Sequence, residues 1–554
     1  MISRRDVLKV GALGAGVFAF GGANLPAGRA AVLSTLAPAN QPIPYSAPFR
    51  RPPELLPYDS GQDELGPFAR YSLSQQLGQA DMVPGLKTTI AGYNGIFPGP
   101  TIRVPVGTRT ELRISNRLTT SPLHAGAFNT VTHLHGSASL PQYDGYANDY
   151  TPPGSVKTYY YPNWQNARTL WYHDHNHHST AKNVYSGIAA FYPLTDSYER
   201  AQLPQGQFDV PIMVSDAIFD ATGQVVYADN EVHGLWGDTI LVNGVPWPLM
   251  QVQRRVYRFR FLVGSISRSY RFALSTGDPF YVVGTDGGMT PTVQPVASWR
   301  QGTAERYEVL VDFRKYKVGQ TINLNNLSNK NNLNFANTGK VMRFQVVDGP
   351  PETSPYKIPT TLDRGPQAYS QLGAVDTMSL TPAMATAKRS LQVMRTNGLW
   401  KINNETWQDV EDAGLLRIDD RQTQPYAIEQ WEIKNLSGGW FHPVHIHLID
   451  AKIIGRNTNS GKPFAWEGGP KDVFYTGENE TVTMLMQFST GAHNGGRYMV
   501  HCHNLVHEDN DMMVQFGVGD IYNNDPVASD PAQPDPSSPG DFPVQYAAGY
   551  PLGT

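Results

Sequence analysis

Cysteine is almost absent from this chain of 554 residues, in which Cys502 is the only one. No internal disulfide bond can therefore form. An excess of one charge is also missing, because 44 lysines and arginines stand against 48 aspartates and glutamates, for a net charge of -4. Without a basic block or an acidic run, the sequence predicts neither nucleic acid nor an anionic membrane as a partner, and it favours a small molecule.

Long apolar runs are equally scarce. The stretch at residues 10–20 is too short and too rich in glycine to predict a stable membrane anchor. It follows Ser3-Arg4-Arg5-Asp6-Val7-Leu8-Lys9, which is similar to a twin-arginine export motif, and precedes Gly28-Arg29-Ala30, which suits signal peptidase. Residues 1–30 are therefore predicted to be a twin-arginine signal peptide that engages the twin-arginine export machinery, with a periplasmic or extracellular destination. The alternative is a chance arginine pair before a weak membrane anchor.

Helical periodicity is rare, whereas alternation of apolar and polar residues recurs. With 52 glycines, 43 prolines and 11% aromatic residues, the composition is typical of a turn-rich β protein. Three alternating segments each follow a turn signal, and the turn signals are 149 and 160 residues apart. The turn signals are Asn94-Gly95, Asn243-Gly244 and Asn403-Asn404, and the segments are residues 110–116, 255–263 and 430–435. This weak repeat predicts three antiparallel β-sandwich domains.

Proline-rich stretches divide the chain into further parts. The protein is expected to be a monomer. The predicted parts are a proline-rich leader wrapped on the surface (31–65), a first domain (66–195), a second domain (196–350), an interdomain linker (351–390), a third domain (391–522) and a low-complexity C-terminal tail (523–554), in which residues 523–543 are expected to be solvated.

Ten of the fifteen histidines fall into four short clusters. The clustered histidines are His133, His135, His173, His175, His442, His445, His447, His501, His503 and His507. Two clusters lie in the first predicted domain and two in the third, so a shared site must lie at the interface of these domains.

Strand geometry divides these side chains between two sites. Successive side chains of a strand point to opposite faces, so His501 and His503 project to one side and Cys502 to the other. His442 likewise differs in parity from His445 and His447. One backbone segment can therefore contribute to two different metal centres.

The residue types identify one of these centres. A cysteine, two histidines and a weak axial methionine form the trigonal site of blue copper, and Cys502, His442, His507 and Met512 supply that set. Met512 is preferred to Met513 because it lies five residues beyond His507, as His507 lies five beyond Cys502. The other eight histidines match about three further copper ions if each ion takes two or three imidazoles and shares oxygen ligands.

With these residues, the chain from about 66 to 520 resembles the three-domain multicopper oxidases of the spore-coat laccase, bilirubin oxidase and phenoxazinone synthase group. Further motifs of the resemblance are YNGIFPGPT at 93–101, DTILVNG at 238–244, ERY at 305–307 and WKIN at 400–403. The resemblance implies an all-β fold of three cupredoxin-like Greek-key β-sandwich domains. It also implies copper as the cofactor, with one type 1, one type 2 and two type 3 ions in each chain.

The resemblance assigns each ligand. It gives type 1 copper to His442, Cys502, His507 and Met512, type 2 copper to His133 and His445, and the type 3 pair to His135, His173 and His503 on one side and His175, His447 and His501 on the other. Asp144 and Glu508 match acids that the family uses near the oxygen site, where a carboxylate can relay protons. The alternative for both acids is a surface salt bridge.

The chain departs from this pattern after His175, where relatives carry small or apolar residues and this chain has Asn176-His177-His178. The change either alters the solvent channel or, as the favoured interpretation, only changes a loop surface. The histidines outside the motifs, His124, His233 and His493, are expected to be ordinary surface or loop residues.

The implied reaction removes single electrons from phenolic, aminophenolic or bilirubin-like aromatic donors, which would dock near an exposed edge of a type 1 histidine, and reduces O2 to water. A metallo-oxidase of Cu(I), Fe(II) or Mn(II) in metal tolerance is the first alternative, although the 14 methionines are scattered. An exported, non-catalytic copper-binding or structural protein of the same fold is the second. Zinc hydrolase chemistry does not explain the Cys, His and Met set.

Overall fold

The computed structural model describes residues 32–120, 123, 128–350, 355–364, 374–418, 421–491, 493–538 and 540–548. Strands make up 44% of the structure and helices are few, which confirms the all-β prediction. The predicted signal peptide at residues 1–30 lies outside the described residues. Within the described ranges, no helix is long and apolar enough to cross a membrane.

The first sandwich consists of a six-stranded sheet, in the order β1-β2-β5-β7-β32 with β3 beside β2, and a four-stranded sheet in the order β4-β9-β8-β6. Its elements are β1 (Asp59–Asp63), β2 (Gly66–Val83), β3 (Leu86–Tyr93), β4 (Val104–Pro105), β5 (Arg109–Asn116), β6 (Thr132–His135), β7 (Ser155–Tyr161), β8 (Arg168–Asp174), α1 (Thr180–Ser186), β9 (Ala189–Thr195) and β32 (Gln533–Pro534). The short helix α2 (Ser197–Gln202) follows β9 and precedes the second sandwich.

The second sandwich pairs a seven-stranded sheet, β12-β11-β10-β14-β19-β16-β17, with a five-stranded sheet, β13-β21-β20-β15-β18. Its strands are β10 (Asp209–Ala217), β11 (Thr239–Val242), β12 (Val245–Pro246), β13 (Leu249–Gln253), β14 (Val256–Val263), β15 (Tyr270–Leu274), β16 (Phe280–Thr285), β17 (Gly288–Val296), β18 (Ser298–Gln301), β19 (Arg306–Asp312), β20 (Thr321–Asn326) and β21 (Lys340–Val347).

The third sandwich has two five-stranded sheets, β23-β22-β25-β29-β27 and β24-β31-β30-β26-β28. Its elements are β22 (Ala387–Thr396), β23 (Leu399–Ile402), α3 (Trp407–Asp412), β24 (Gln422–Thr423), β25 (Ile428–Asn435), β26 (His442–Ile446), β27 (Asp450–Arg456), β28 (Val473–Thr476), β29 (Thr481–Gln487), β30 (Gly495–Cys502), α4 (Leu505–Glu508) and β31 (Met513–Gly519). β22 begins inside the segment predicted as the linker.

The internal repeat is present in all three sandwiches. Asn94, Asn243 and Asn403 each adopt a left-handed backbone conformation, with φ of 54°, 49° and 51°. Each side-chain oxygen accepts a hydrogen bond from the backbone N–H of a neighbouring strand, at 3.0, 2.8 and 2.7 Å. Asparagine tolerates this conformation and can bond the backbone locally, which explains why the same residue type marks each turn.

Each sandwich has its own hydrophobic core. The strand β14 shows how one face of a strand can pack in such a core while the other face contacts a neighbouring domain. Phe259 and Phe261 belong to the core of the second sandwich. On the other face, Arg258 and Arg260 are buried, and both contact Glu199 of α2 and Glu308 of β19. The hydroxyl of Thr169, on β8 of the first domain, lies 3.0 Å from Nη1 of Arg260 and 2.6 Å from Oε1 of Glu308. The polar face of this alternating segment therefore forms a domain interface and is not exposed to solvent.

The described parts of the leader and the tail lie on the sandwiches. In the leader, the Ser34 backbone N–H donates to Asp238 at 2.9 Å on the second domain, and the last leader residues form β1. In the tail, β32 pairs with β7 and Tyr546 packs against the core of the first sandwich. These tail residues therefore lie along the first domain, and both residues of β32 stay exposed.

Candidate metal centres

The strand β30 ends between two neighbours that also carry predicted ligands. It pairs with β26, so that His501 lies opposite His445, and with β31, so that His501 lies opposite Met513. In the first domain, β6 pairs with β8 and His133 lies opposite His173. Because paired residues share a sheet face, these pairings place predicted ligands side by side in each domain.

The first candidate centre contains Cys502, His442 and His507. The Cys502 Sγ lies 3.3 Å from Nδ1 of His442 and 3.7 Å from Nδ1 of His507, and the two Nδ1 atoms are 3.3 Å apart. The other nitrogens are occupied, since Nε2 of His442 lies 2.9 Å from Ser437 Oγ and Nε2 of His507 donates to the His233 carbonyl at 3.0 Å. One sulfur and two Nδ1 atoms therefore converge on one point.

Burial sets the chemistry of this first centre. It lowers the pKa of His442 to about 3, so the imidazole is neutral and its lone pair is available to a metal. Burial also raises the pKa of the Cys502 thiol, and a bound metal would deprotonate it. Both histidines are fully buried. The expectation that a type 1 histidine presents an exposed edge is therefore wrong for this structure.

The two candidate axial methionines lie in different clusters. Met512 belongs to the hydrophobic core that includes Cys502, and its carbonyl accepts the Cys502 backbone N–H at 3.0 Å. Met513 packs in a separate cluster with Tyr146 and Trp407. The structure therefore places Met512, which the spacing favours, on the Cys502 side.

The second candidate centre lies where the first and third domains meet, and its eight histidines are buried. Rings of the first domain pack against rings of the third, with centroid distances of 3.7 Å for His135–His445, 4.1 Å for His133–His447, 4.7 Å for His175–His501 and 5.1 Å for His173–His503.

The predicted ligand sets are brought together at this interface. His175, His447 and His501 form one group close enough to hold a metal ion, in which Nε2 of His501 lies 3.2 Å from Nε2 of each of the other two. The rings of His135, His173 and His503 are 5.1 to 5.7 Å apart. The predicted type 2 pair, His133 and His445, has a centroid distance of 5.6 Å.

Unpaired nitrogens show that the second centre fits metal ions. In the part of the chain that the structure describes, no hydrogen-bond partner is found for Nε2 of His133, His173 and His445, or for either nitrogen of His503. A buried polar atom without a partner carries a free-energy cost of about 1–3 kcal/mol. Burial lowers the pKa of His173 to about 3 and of His175 to about 4, so these rings are neutral, as metal ligands require.

The two predicted acids contact the second centre. Asp144 accepts a hydrogen bond from Nδ1 of His447 at 2.8 Å, and a Glu508 oxygen lies 2.7 Å from Nδ1 of His501. Burial raises the pKa of Asp144 well above its usual range. For Glu508, burial acts in the same direction, but the imidazoles of His501 and His175 outweigh it and lower the pKa to about 2. Both acids are buried, so the surface salt-bridge alternative is wrong.

The predictions for the histidines outside the copper motifs are correct for some residues and wrong for others. His177 is buried at the interface of the first and third domains, with its nitrogens 3.2 Å from Glu411 and Asp511, so the loop-surface interpretation is wrong for it. His178 stacks on His177 and is exposed. His233 is a loop residue, as one of the two expectations had it, but it is buried and stacks on Trp440. His493 is a partly buried loop residue, and His124 lies outside the described residues.

Sequence analysis missed several residues that support these centres. Trp400 stacks on His507 with a centroid distance of 3.7 Å, and Trp171 stacks on His173 at 4.0 Å. Asp472, which precedes β28, contacts His135 and His445. The alternating pattern places Trp171 two residues before His173 on the same face, so that contact could have been predicted from the sequence. The contact of Asp472 with His135 joins residues 337 positions apart and has no local signal.

A cysteine and histidine site and a histidine cluster that share one strand, where β-sandwich domains meet, form the arrangement expected of a copper-dependent oxidase. The multicopper oxidase family profile matches residues 76–196 and 380–521. A bilirubin oxidase from Albifimbria verrucaria is 39% identical over 469 residues, which cover 82% of this chain and 75% of that protein. A laccase from Bacillus stratosphericus is 30% identical over 531 residues, covering 85% of this chain and 97% of the laccase.

Solved structures agree with these sequence relatives. The multicopper oxidase McoA from Aquifex aeolicus has a TM-score of 0.72 at 27% identity, over 86% of this chain and all of that one. The chain belongs to the multicopper oxidase family. It is an oxidoreductase with O2 as electron acceptor, it has three cupredoxin-like Greek-key β-sandwich domains, and the family implies copper as its cofactor.

Proposed function

We propose that the protein is a laccase-like or bilirubin oxidase-like enzyme that takes single electrons from phenolic, aminophenolic or bilirubin-like donors and reduces O2 to water. The observation that carries the proposal is the position of Cys502 at the first centre, with His501 and His503 at the second. The similarity to a bilirubin oxidase and to laccases supports the aromatic donor class.

The two centres would hold about four copper ions per chain. His442, Cys502, His507 and Met512 would hold the type 1 ion, and His133 and His445 the type 2 ion. The type 3 ions would be held by His135, His173 and His503 and by His175, His447 and His501. Bound copper supplies the one-electron chemistry at the first centre and O2 reduction at the second.

The residues of the chain contribute connection, orientation and protons. Cys502 is joined to His501 and His503 by the backbone, which gives electrons a route through covalent bonds alone between the centres. Asp144 fixes the ring of His447 and, because burial favours its protonated form, can hold a proton beside the cluster. Glu508 lies beside His501 and His175 and can accept and pass protons there.

The export route belongs to the same proposal. Residues 3–9 support recognition by the twin-arginine machinery, which carries folded proteins, and the mature protein would then act as a monomer in the periplasm or outside the cell. A bound-metal enzyme is the kind of protein that this route serves.

A donor panel tests the substrate class. The copper-loaded protein is expected to turn over a syringyl phenol, an o-aminophenol and bilirubin with O2 uptake, at kcat/KM values at least about tenfold above those for Cu(I), Fe(II) and Mn(II). Rapid O2 uptake with the metal ions alone, and none with the aromatic donors, would replace this proposal with the metallo-oxidase alternative.

The axial position is tested by Met512→Leu. The leucine keeps the volume of the side chain but removes the thioether, whose donation stabilises Cu(II), so the type 1 reduction potential is expected to rise. A tenfold loss of Cu(II) affinity relative to Cu(I) corresponds to about 59 mV in a redox titration. Met513→Leu is the matched control, since Met513 packs in the other cluster and its loss should leave the potential unchanged. An unchanged potential in Met512→Leu would remove Met512 from the site.

A further inference from the structure

The second domain contributes none of the predicted copper ligands, yet it reaches the histidine cluster through a buried ion pair. Arg306, at the start of β19, and Asp472, just before β28 in the third domain, are both fully buried. The pair is bidentate, with Nη1 of Arg306 2.7 Å from Oδ1 of Asp472 and Nη2 2.5 Å from Oδ2. Such a fork fixes the position of both groups.

Asp472 contacts two predicted ligands from two different domains. Its Oδ1 accepts a hydrogen bond from Nε2 of His135 at 3.2 Å, and its carbonyl accepts one from Nδ1 of His445 at 2.9 Å. These bonds leave Nδ1 of His135 and Nε2 of His445 without a hydrogen-bond partner within the described ranges. His133 and His173 use the other ring nitrogen for their hydrogen bonds. In both residues it is Nδ1 that bonds to a backbone carbonyl, whereas in His135 it is Nε2 that bonds to Asp472. The carboxylate of Asp472 therefore holds the ring of His135 so that Nδ1, and not Nε2, is the nitrogen left for a metal.

Asp472 lies close enough to His135 and His445 for the three to hold a metal ion, but its ion pair makes its carboxylate better suited to orienting a ligand than to being one. Both of its oxygens are engaged by Arg306, which neutralises its charge. Arg306 is itself held by three carbonyl oxygens, those of Thr169 in the first domain and of Ala304 and Asp286 in the second, at 3.0 to 3.2 Å. The pair thus ties the ring orientation at the cluster to the packing of all three domains.

The residue after His135 leaves space for this pair. Gly136 has a φ of +86°, and a Cβ at this position would lie 2.7 Å from both Nη2 of Arg306 and Oδ2 of Asp472. A larger residue would displace the ion pair from the ring of His135.

From these contacts, and resting on the proposed function, we propose that Asp472 and Arg306 are a positioning pair. The pair sets which nitrogen of His135 faces the trinuclear site and so determines how that site binds copper.

The test uses the copper-loaded full chain and the variant Asp472→Asn, which keeps the size of the side chain but places an amide against Arg306. The EPR signal of the non-blue copper is expected to change. In addition, either the copper affinity of the cluster or the rate of O2 turnover is expected to fall about 10- to 100-fold. The blue absorption of the Cys502 centre should stay unchanged.

The matched control is Glu467→Gln. Glu467 forms an equally buried bidentate pair with Arg456, and its partners among the described residues include no histidine. The control should keep the wild-type EPR signal and copper content even if it lowers the melting temperature. If Asp472→Asn does not fold, Arg306→Lys, which keeps the charge and loses the fork, should give the same spectroscopic change in weaker form.

An unchanged EPR signal and copper content in Asp472→Asn, with turnover equal to the control, would overturn the positioning role. Wild-type protein without a non-blue copper signal would instead overturn the proposed function on which that role rests.

Discussion

Replacing Cys502 with serine is expected to abolish both the blue absorption and the oxidase activity of the copper-loaded protein. The thiolate is the ligand that makes a type 1 site blue, and serine supplies no soft sulfur to bind copper. The residue is also the covalent link from the first centre to His501 and His503, so turnover should fall by at least about 1,000-fold. Absorption spectroscopy and O2 uptake measure the two effects.

The control for this substitution is Val500→Thr. Val500 lies in the same strand and the same hydrophobic core as Cys502, and threonine also introduces a hydroxyl there, at a cost of about 1–3 kcal/mol. The control should lose stability but stay blue and active. A blue and active Cys502→Ser protein would contradict the assignment of the first centre.

The variant Asp144→Asn is expected to lose O2 reduction while the first centre still accepts electrons. The amide oxygen can accept the same hydrogen bond from His447, so the ring stays in place, but the side chain no longer holds a proton. Loss of a general acid lowers turnover by about 10²- to 10⁴-fold. Stopped-flow bleaching of the blue band without O2, compared with steady-state O2 uptake, separates the two half-reactions.

Asp149→Asn is the matched control for Asp144. Asp149 is buried five residues further on and is paired with Lys157, so the same substitution tests buried charge alone. The O2 turnover of this control is expected to fall much less than that of Asp144→Asn. Equal losses in both variants would show that Asp144 acts through stability and not through protons.

The parity of side chains along strands made much of the site predictable from the sequence. Because β30 and β26 are extended, the alternation of residues 501–503 and 442–447 gives the division between the centres before any coordinates are known. Likewise, the asparagine turns predicted the repeat, since a left-handed turn residue restricts the choice of side chain wherever it occurs.

The supporting contacts could not be predicted in this way. Asp472 reaches His135 across 337 positions, and Arg306 reaches Asp472 across 166. Such contacts depend on how the domains pack, and no local period encodes domain packing. For the same reason, the burial of the loop residues His177 and His233 could not be predicted, because the surfaces that cover them come from other domains.

Alternation predicts which face of a strand is polar, but not what covers that face. In β14, Arg258 and Arg260 alternate with apolar residues as an exposed strand would, yet they are buried against carboxylates. A buried charge is tolerated when it is paired and hydrogen-bonded, and the partner Glu199 lies 59 residues before Arg258 in the sequence, outside β14.

The most direct test of a single strand serving two copper sites is metal analysis combined with EPR of the wild-type chain and Cys502→Ser. Wild type should contain about four copper ions per chain, with both a blue and a non-blue signal. The variant should contain about three, with the non-blue signal alone. Wild-type protein that binds far fewer ions after full metal loading, or a variant that keeps the blue signal, would contradict the account.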